Sequence, residues 1–268
     1  MSFRPLNVPA YIKDQQHDAE WFLKRANDIR ENLKRFSPVN PDITIIIPAF
    51  NEEDSILRTL SSLTKTITNL SVEILVVNNN STDKTQELIE LVGVTHIIEY
   101  KQGVKNARNA GLQAARGTII MNADADSVYS PYWVNMLGRP LLEDPEVACV
   151  YGRFAFLPDS SAGRLPYFLY ETVGDVFKGI IQRNMEEAMY AYGCSTAYRK
   201  LQGLEVGGYE HPPGANEDGY LALKLKTKFG RLERISSIRS LVWTSDRRLM
   251  EQGGLIKAFV ARLSSLSK

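Results

Sequence analysis

The sequence predicts an α/β fold built on a doubly wound, mixed but mostly parallel sheet flanked by helices. Three observations carry that expectation. Short runs rich in β-branched residues recur, they alternate with segments of helical periodicity, and polar or acidic residues crowd the ends of the runs. Strands alternating with helices of this length point to βαβ units. A strand that is apolar on both faces suits a sheet covered on both sides.

Each element can be justified in turn. Phe22, Ala26, Ile29 and Leu33 recur at helical spacing with Lys24, Arg25, Asp28, Arg30 and Glu31 between them, and Ser37-Pro38 and Asn40-Pro41 end the pattern. Residues 1–41 therefore read as a helical lead-in packed on the main body. Ile43–Ile47 is the first strand, and 52–68 follows as a helix with Ile56, Leu60, Leu63 and Ile67 on one face. Glu73–Val77, Thr95–Glu99 and 118–122 read as further strands, with helices over 82–92 and 104–116 between them. Beyond residue 128 the pattern loosens. Tyr132–Leu142 reads as helix, Val147–Phe156 as one extended segment, Leu157–Gly163 as a mobile loop, and 165–181 as an apolar helix. An extended segment at 188–198 and a helix at 217–228 complete a main domain over 42–230, with halves at 42–128 and 129–230. Residues 231–268 read as a basic extension in which Ile256, Phe259, Val260 and Leu263 form an apolar stripe beside Lys257 and Arg262.

Composition narrows the class. With 268 residues, 44% hydrophobic and 24% charged, the chain can build one substantial core. No apolar run reaches the roughly 18–20 residues that span a bilayer. The Met1–Asn7 stretch lacks the apolar centre of a secretory signal. Cys149 and Cys194 form no CxxC and read as buried free thiols, so a reducing cytoplasmic setting is expected. The net charge of +1 hides an asymmetry: Lys224–Lys268 carries 11 Lys and Arg against three acids. Such a segment could face an anionic substrate, a membrane surface as a peripheral contact, or nucleic acid, or be a solvated helix face.

The chemistry concentrates at the inferred strand ends. After the run Ile119-Ile120-Met121 stand Asp124 and Asp126, one residue apart. In an extended segment residues i and i+2 point the same way, and ligands of open α/β sheets sit at the carboxyl ends of strands. Two carboxylates converging there repel unless a hard divalent cation joins them, and a cation so held suits a substrate with negative oxygens, such as a nucleotide diphosphate. The alternative is a solvated Asp-Ala-Asp turn. Pro48-Ala49-Phe50-Asn51-Glu52-Glu53, Asn78-Asn79-Asn80-Ser81-Thr82-Asp83 and Lys101–Asn109 lie at the same inferred edge.

Taken in order, these segments resemble the family 2 glycosyltransferases with a GT-A fold. Pro48–Glu52 matches P-x-[YF]-N-E, Asn79–Asp83 the polar stretch ending in S-T-D, Ala107–Gly111 the A-R-N-x-G helix, and Asp124–Asp126 the D-x-D. Gly207-Gly208-Tyr209 and Glu217-Asp218-Gly219-Tyr220-Leu221 match the family's GGY/F and E-D-x-x-L segments, so the resemblance covers residues 43–230. It implies a metal-dependent, inverting transferase that moves one sugar from a nucleotide-diphosphate sugar to an acceptor hydroxyl. Phe50 would stack on the base, Asn79 and Arg108 would hydrogen-bond its edge, and Pro48 and Ala49 would touch it through backbone. Glu52 and Ala125 belong to the same donor-binding set. Asp126 would bind Mn²⁺ or Mg²⁺ directly, Asp124 would support the metal and the donor sugar, and Asp218 would be the general base, with Glu217 as the alternative base.

Two departures from the pattern stand out. Asn79 occupies a position where the family usually has Asp, and an amide donates as well as accepts. The Q-x-x-R-W motif of processive synthases is absent; Trp243-Thr244-Ser245-Asp246-Arg247-Arg248 stands in that region, which favours a single transfer with Arg247 or Arg248 near phosphate oxygens. Plainer readings of the same residues are Phe50 as core filler, Asn78–Asn80 as turn formers, and Glu217 and Asp218 as first-turn acids favoured by the helix dipole. A nucleotidyltransferase would need a glycine-rich basic loop after the first strand, and Pro48–Glu53 has neither Gly nor Lys nor Arg. A dinucleotide enzyme would need GxGxxG there. A non-catalytic nucleic-acid or membrane-binding module would act through the basic tail. The acceptor stays open among a glycan, a lipid-linked sugar and nucleic acid.

Overall fold

Ten strands and eleven helices are present in a computed structural model that describes residues 4–158, 163–181, 186–251, 253–255 and 257, without the side chains of 176–181 and 248. The strands are β1 (Ile43–Ala49), β2 (Val72–Asn78), β3 (Thr95–Ile98), β4 (Ile119–Asn122), β5 (Ser127–Val128), β6 (Val147–Tyr151), β7 (Phe154–Leu157), β8 (Thr196–Arg199), β9 (Arg231–Arg234) and β10 (Val242–Ser245). The helices are α1 (Ala10–Lys13), α2 (Ala19–Leu23), α3 (Ala26–Leu33), α4 (Ile56–Leu63), α5 (Thr85–Val92), α6 (Val104–Ala114), α7 (Trp133–Glu143), α8 (Leu165–Ile181), α9 (Lys200–Glu205), α10 (Glu217–Phe229) and α11 (Arg247–Glu251).

A seven-stranded sheet runs β3-β2-β1-β4-β8-β6-β9. Its first four strands are mutually parallel, β8 is antiparallel to both neighbours, and β9 is parallel to β6. The sheet is thus mixed and mostly parallel, as expected from the alternating pattern. Side-chain alternation explains why β1 and β2 are apolar throughout. Ile45, Ile47, Ile74 and Val76 enter the core shared with α3, α4, α5 and α7, whereas Ile46, Leu75 and Val77 enter the one shared with α6, α9 and α10. Each buried side chain of this kind is worth about 1.5–3 kcal/mol of transfer free energy. A smaller sheet, β5-β10-β7, packs Val128, Ala155, Leu157 and Trp243 around Ile12 of α1.

Several expected boundaries shift for local reasons. The lead-in is three short helices rather than one, yet Phe22, Ala26, Ile29 and Leu33 all join the main core. The helix expected over 52–68 is only Ile56–Leu63, because Asn51–Ser55 forms a loop held by side chains. Val147–Phe156 is not one strand. It breaks at Gly152-Arg153 so that β6 serves the large sheet and β7 the small one, and a Cβ on Gly152 would lie 2.2 Å from Ser195 Oγ. Within 188–198 only Thr196–Arg199 is strand, preceded by a 3₁₀ turn at Glu187–Tyr190. Residues 231–245, expected in the basic extension, are built into both sheets as β9 and β10. Charged Arg231, Glu233 and Arg234 mask β9 as an edge strand whose Leu232 alone is buried. The stripe residues Ile256, Phe259, Val260 and Leu263, together with 159–162 of the expected mobile loop, lie outside the described residues.

Candidate active site

The carboxyl ends of β1, β2 and β4 open into a cleft of about 910 Å³. Parallel pairing sets Ala49 opposite Asn78 and Ile46 opposite Asn122, so the loops after these strands leave side by side. Pro48, Ala49, Phe50, Glu52, Asn79, Arg108, Asp124, Ala125 and Asp126 all line this cleft, and Glu217, Asp218 and Arg247 join them from the second half. The side chain of Arg248 is outside the described residues.

The first loop is shaped by its neighbour. Asn51 turns left-handed (φ 53), a conformation Asn tolerates better than most residues. Its backbone N–H donates to Ser81 Oγ at 3.1 Å, and its Oδ1 accepts from the Thr82 N–H at 2.8 Å. Glu53 N–H donates to Asp83 Oδ2 at 3.1 Å, and Glu53 Oε2 accepts from Lys84 N–H at 3.0 Å. The S-T-D stretch therefore braces the P-A-F-N-E loop. Asn78 and left-handed Asn80 fit the turn-forming role, Asn78 Oδ1 accepting from Ser81 N–H at 3.0 Å. Phe50 is 47% exposed on the cleft wall, which removes the core-filler reading. Glu52 is buried, with Oε1 2.6 Å from Arg247 Nη2 and Oε2 2.5 Å from the donating Ser55 Oγ. Burial raises its pKa above the usual carboxylate range, against the pull of Ser55 and Arg247.

Arg108 is the joint of the site. The residue is 2% exposed, with Nη1 2.8 Å from Asp218 Oδ1 and Nη2 donating to Asp124 Oδ1 at 3.2 Å. Both terminal nitrogens thus face carboxylates, with Nη1 also donating to Gly193 O at 3.5 Å. Burial alone would disfavour its charge, but Asp218 and then Asp124 more than reverse that and raise its pKa. Glycine at 193 makes room: a Cβ there would lie 1.9 Å from Arg108 Nη2 and 2.5 Å from Asp218 Oδ2. Nothing in the extended-looking stretch around Gly193 marks it as part of a site.

Asp218 sits in the first turn of α10, where Asn216 caps the helix by accepting from the Asp218 N–H at 3.0 Å. Only 7% exposed, it has a pKa raised to about 6: burial pushes it up, Arg108 pulls it down, and Glu217 and Asp124 push it up again. A solvated first-turn acid would not be so placed. The D-x-D segment is held from below by Tyr129, whose hydroxyl accepts from Asp124 N–H at 2.8 Å and donates to Cys194 O at 3.3 Å. Asp126 is 6% exposed, and its Oδ1 accepts from the Ser127 and Thr244 hydroxyls at 3.3 and 3.4 Å. Tyr129 falls in no sequence motif, and in the Trp243–Arg248 stretch the sequence singles out only the arginines, not Thr244. The G-G-Y segment acts through packing: Asn109 Oδ1 accepts from Tyr209 N–H at 2.9 Å, and Tyr209 donates to Asn122 Oδ1 at 2.7 Å, tying α6 to β4.

Among the described residues, no three His, Cys, Asp or Glu side chains form a metal-holding group. The pair Asp124 and Asp126 still suits Mg²⁺ or Mn²⁺ of the kind bound through one or two carboxylates plus substrate phosphates and water. Buried Asp126, facing the cleft beside the Ser127 and Thr244 hydroxyls, has the chemistry for that duty.

A family model described as glycosyl transferase family 2 matches residues 44–201. The probable glycosyltransferase YdaM of Bacillus subtilis is 31% identical over 139 residues, which cover 47% of this chain and 31% of that protein. The chain spans less than half the length of the curated relatives it matches. Staphylococcus aureus TarS 1–349 in complex with UDP-GlcNAc superimposes with a TM-score of 0.58 at 17% identity, over 76% of this chain and 58% of that one. Glucosyl-3-phosphoglycerate synthase of Mycobacterium tuberculosis, in complex with Mn²⁺, UDP-glucose and phosphoglyceric acid, does so with 0.55 at 19% identity, over 90% of this chain and 82% of that one. At such identities the likeness is one of fold.

Proposed function

This chain belongs to glycosyl transferase family 2 and has the GT-A fold, and from that premise we propose that it moves one sugar from a nucleotide-diphosphate sugar to an acceptor hydroxyl, with inversion and with Mn²⁺ or Mg²⁺ as cofactor. The observation that carries the reading is a buried carboxylate with a pKa of about 6, Asp218, joined through Arg108 to Asp124 in the same cleft as Asp126. A base that titrates near neutrality can accept a proton without being idle beforehand. Asp218 takes the acceptor hydroxyl's proton as its oxygen bonds to the anomeric carbon, and the bond from that carbon to the diphosphate breaks on the opposite face. One displacement inverts the configuration.

Asp126, with Asp124 in support, would hold the cation, which supplies charge neutralisation for the departing diphosphate. Phe50 offers its face to the base. Arg247, half-buried beside Glu52, is within the cleft to meet phosphate oxygens. The absence of Q-x-x-R-W in the Trp243–Arg248 region supports a single, non-processive transfer. The acceptor is a glycan, a lipid-linked sugar or nucleic acid. No helix among the described residues is long and apolar enough to cross a membrane.

The test is a donor screen. Incubated with Mn²⁺ and a panel of UDP-, GDP- and dTDP-sugars, the protein should release nucleotide from one class of donor, slowly to water and faster with acceptor. Silence toward every donor, with and without metal, and with no thermal shift, would overturn the proposal.

A further inference from the structure

Asn79 sits where the implied role is to read a nucleobase, yet its side chain is already engaged on three sides. Nδ2 donates to Glu99 O at 2.9 Å and to Lys101 O at 2.9 Å, and Oδ1 accepts from the Gly103 N–H at 2.8 Å. The residue is 4% exposed, and its own backbone N–H donates to Ala49 O at 2.8 Å. An amide has two N–H donors, and both are used. The bonds also fix which way the amide faces, since two carbonyls demand the nitrogen on one side and an N–H demands the oxygen on the other.

Resting on the donor reading above, we propose that Asn79 is a positioning residue: it clamps the 99–103 segment into the wall of the nucleotide pocket and can meet a bound base only as an acceptor, through the second lone pair of Oδ1. The clamped segment matters because Gln102, Gly103 and Val104 line the cleft. Gly103 is also the N-cap of α6, its carbonyl accepting from Asn106 N–H at 2.9 Å and from Ala107 N–H, the residue before Arg108, at 3.1 Å. At φ +122 Gly103 takes a backbone conformation that L side chains rarely adopt, and because glycine is the most permissive residue the turn is free to rearrange once released. The clamp accounts for the departure from Asp at this position. A carboxylate has acceptors only, so it would face the carbonyls of residues 99 and 101 with no hydrogen to offer, leaving buried groups unpaired beside a negative charge.

The experiment compares Asn79→Asp and Asn79→Ala with the unaltered chain in two readouts. In nucleotide release with the donor class found active in the screen, Asn79→Asp should raise the KM by about tenfold or more while kcat changes by less than about threefold, the pattern of lost ground-state binding. If Asn79 were only a reader of an imino N–H, the carboxylate would accept that hydrogen at least as well. Uracil, thymine and guanine each carry such an N–H, so an unchanged or lower KM for the active donor would overturn the proposal. In amide hydrogen exchange on the protein without ligand, Asn79→Ala should accelerate exchange at Gly103 by at least tenfold while β1 and β2 keep their protection. Retained protection at Gly103 would overturn it. Asn79→Ala also serves if Asn79→Asp fails to fold, because it removes the three bonds without adding a charge. The exchange readout needs no substrate, so a failure of the transferase reading and a failure of the clamp are told apart.

Discussion

Arg108 pairs with Asp124 at one end of its guanidinium and Asp218 at the other, so the donor-side acid and the base share one buried cation. Removing one member of a buried charge set leaves its partners uncompensated, usually at several kcal/mol. An isosteric change keeps the shape of the site, and Asp124 still pairs with Arg108, so the cost in stability is read from the melting point and the chemistry from kcat. Asp218→Asn should leave nucleotide-sugar binding within about threefold and lower kcat by about 10²–10⁴-fold, the usual worth of a positioned base. In the unaltered protein kcat/KM should fall below pH about 6 with a slope of one proton, because burial raises the Asp218 pKa and only its ionised form accepts the proton. A pH–rate profile without that limb would reassign the base, with Glu217 the first alternative. Gly193→Ala places a Cβ 1.9 Å from Arg108 Nη2. It should cut turnover at least tenfold with a melting point lowered by only a few degrees, measured by steady-state kinetics beside calorimetry.

Among the elements, α6 carries the most responsibility, since it sets Arg108 over the cleft and Asn109 against Tyr209. It lies close on β1 because Gly111 faces Ile46: a Cβ there would be 2.5 Å from Ile46 Cγ2. Gly111→Ala trades better helix propensity against overpacking of about 1–3 kcal/mol, and the clash should win. Chemical denaturation should show net destabilisation with a disproportionate loss of kcat as Arg108 shifts. The pattern A-R-N-x-G was legible through the family resemblance, and each of its residues has a local task here: Arg108 pairs with Asp124 and Asp218, Asn109 accepts from Tyr209, and Gly111 lets α6 approach β1. The strands β1, β2 and β4 were legible because both faces are buried. What escaped the sequence was long-range. β9 and β10 are short pieces whose partners are about 80–115 residues away, and Gly193 and Thr244 acquire meaning only once the chain brings them beside Arg108 and Asp126.

The molecule as a whole keeps a strained arrangement of charge at its cleft, and this has a stability signature. The native Asp218 holds its proton up to pH about 6, above the ordinary value of 3.8, so between those limits the folded state binds more protons than the unfolded one. The contribution of this group to stability therefore decreases as pH rises from about 4 to about 6, and Asp218→Asn should flatten that part of the melting-point curve. A melting-point difference between the two proteins that stays constant across the window would contradict the burial argument. The two halves of the chain contribute unlike kinds of information to the cleft: the first supplies motif residues at strand ends, the second a helix start, two short strands and a glycine. The most direct measurement is isothermal calorimetry of the active nucleotide-sugar, with and without Mn²⁺, against the unaltered chain, Asp126→Ala and Asp218→Asn. The account predicts metal-dependent binding that Asp218→Asn retains and Asp126→Ala loses by at least tenfold. Equal affinity in all three proteins, indifferent to metal, would contradict it.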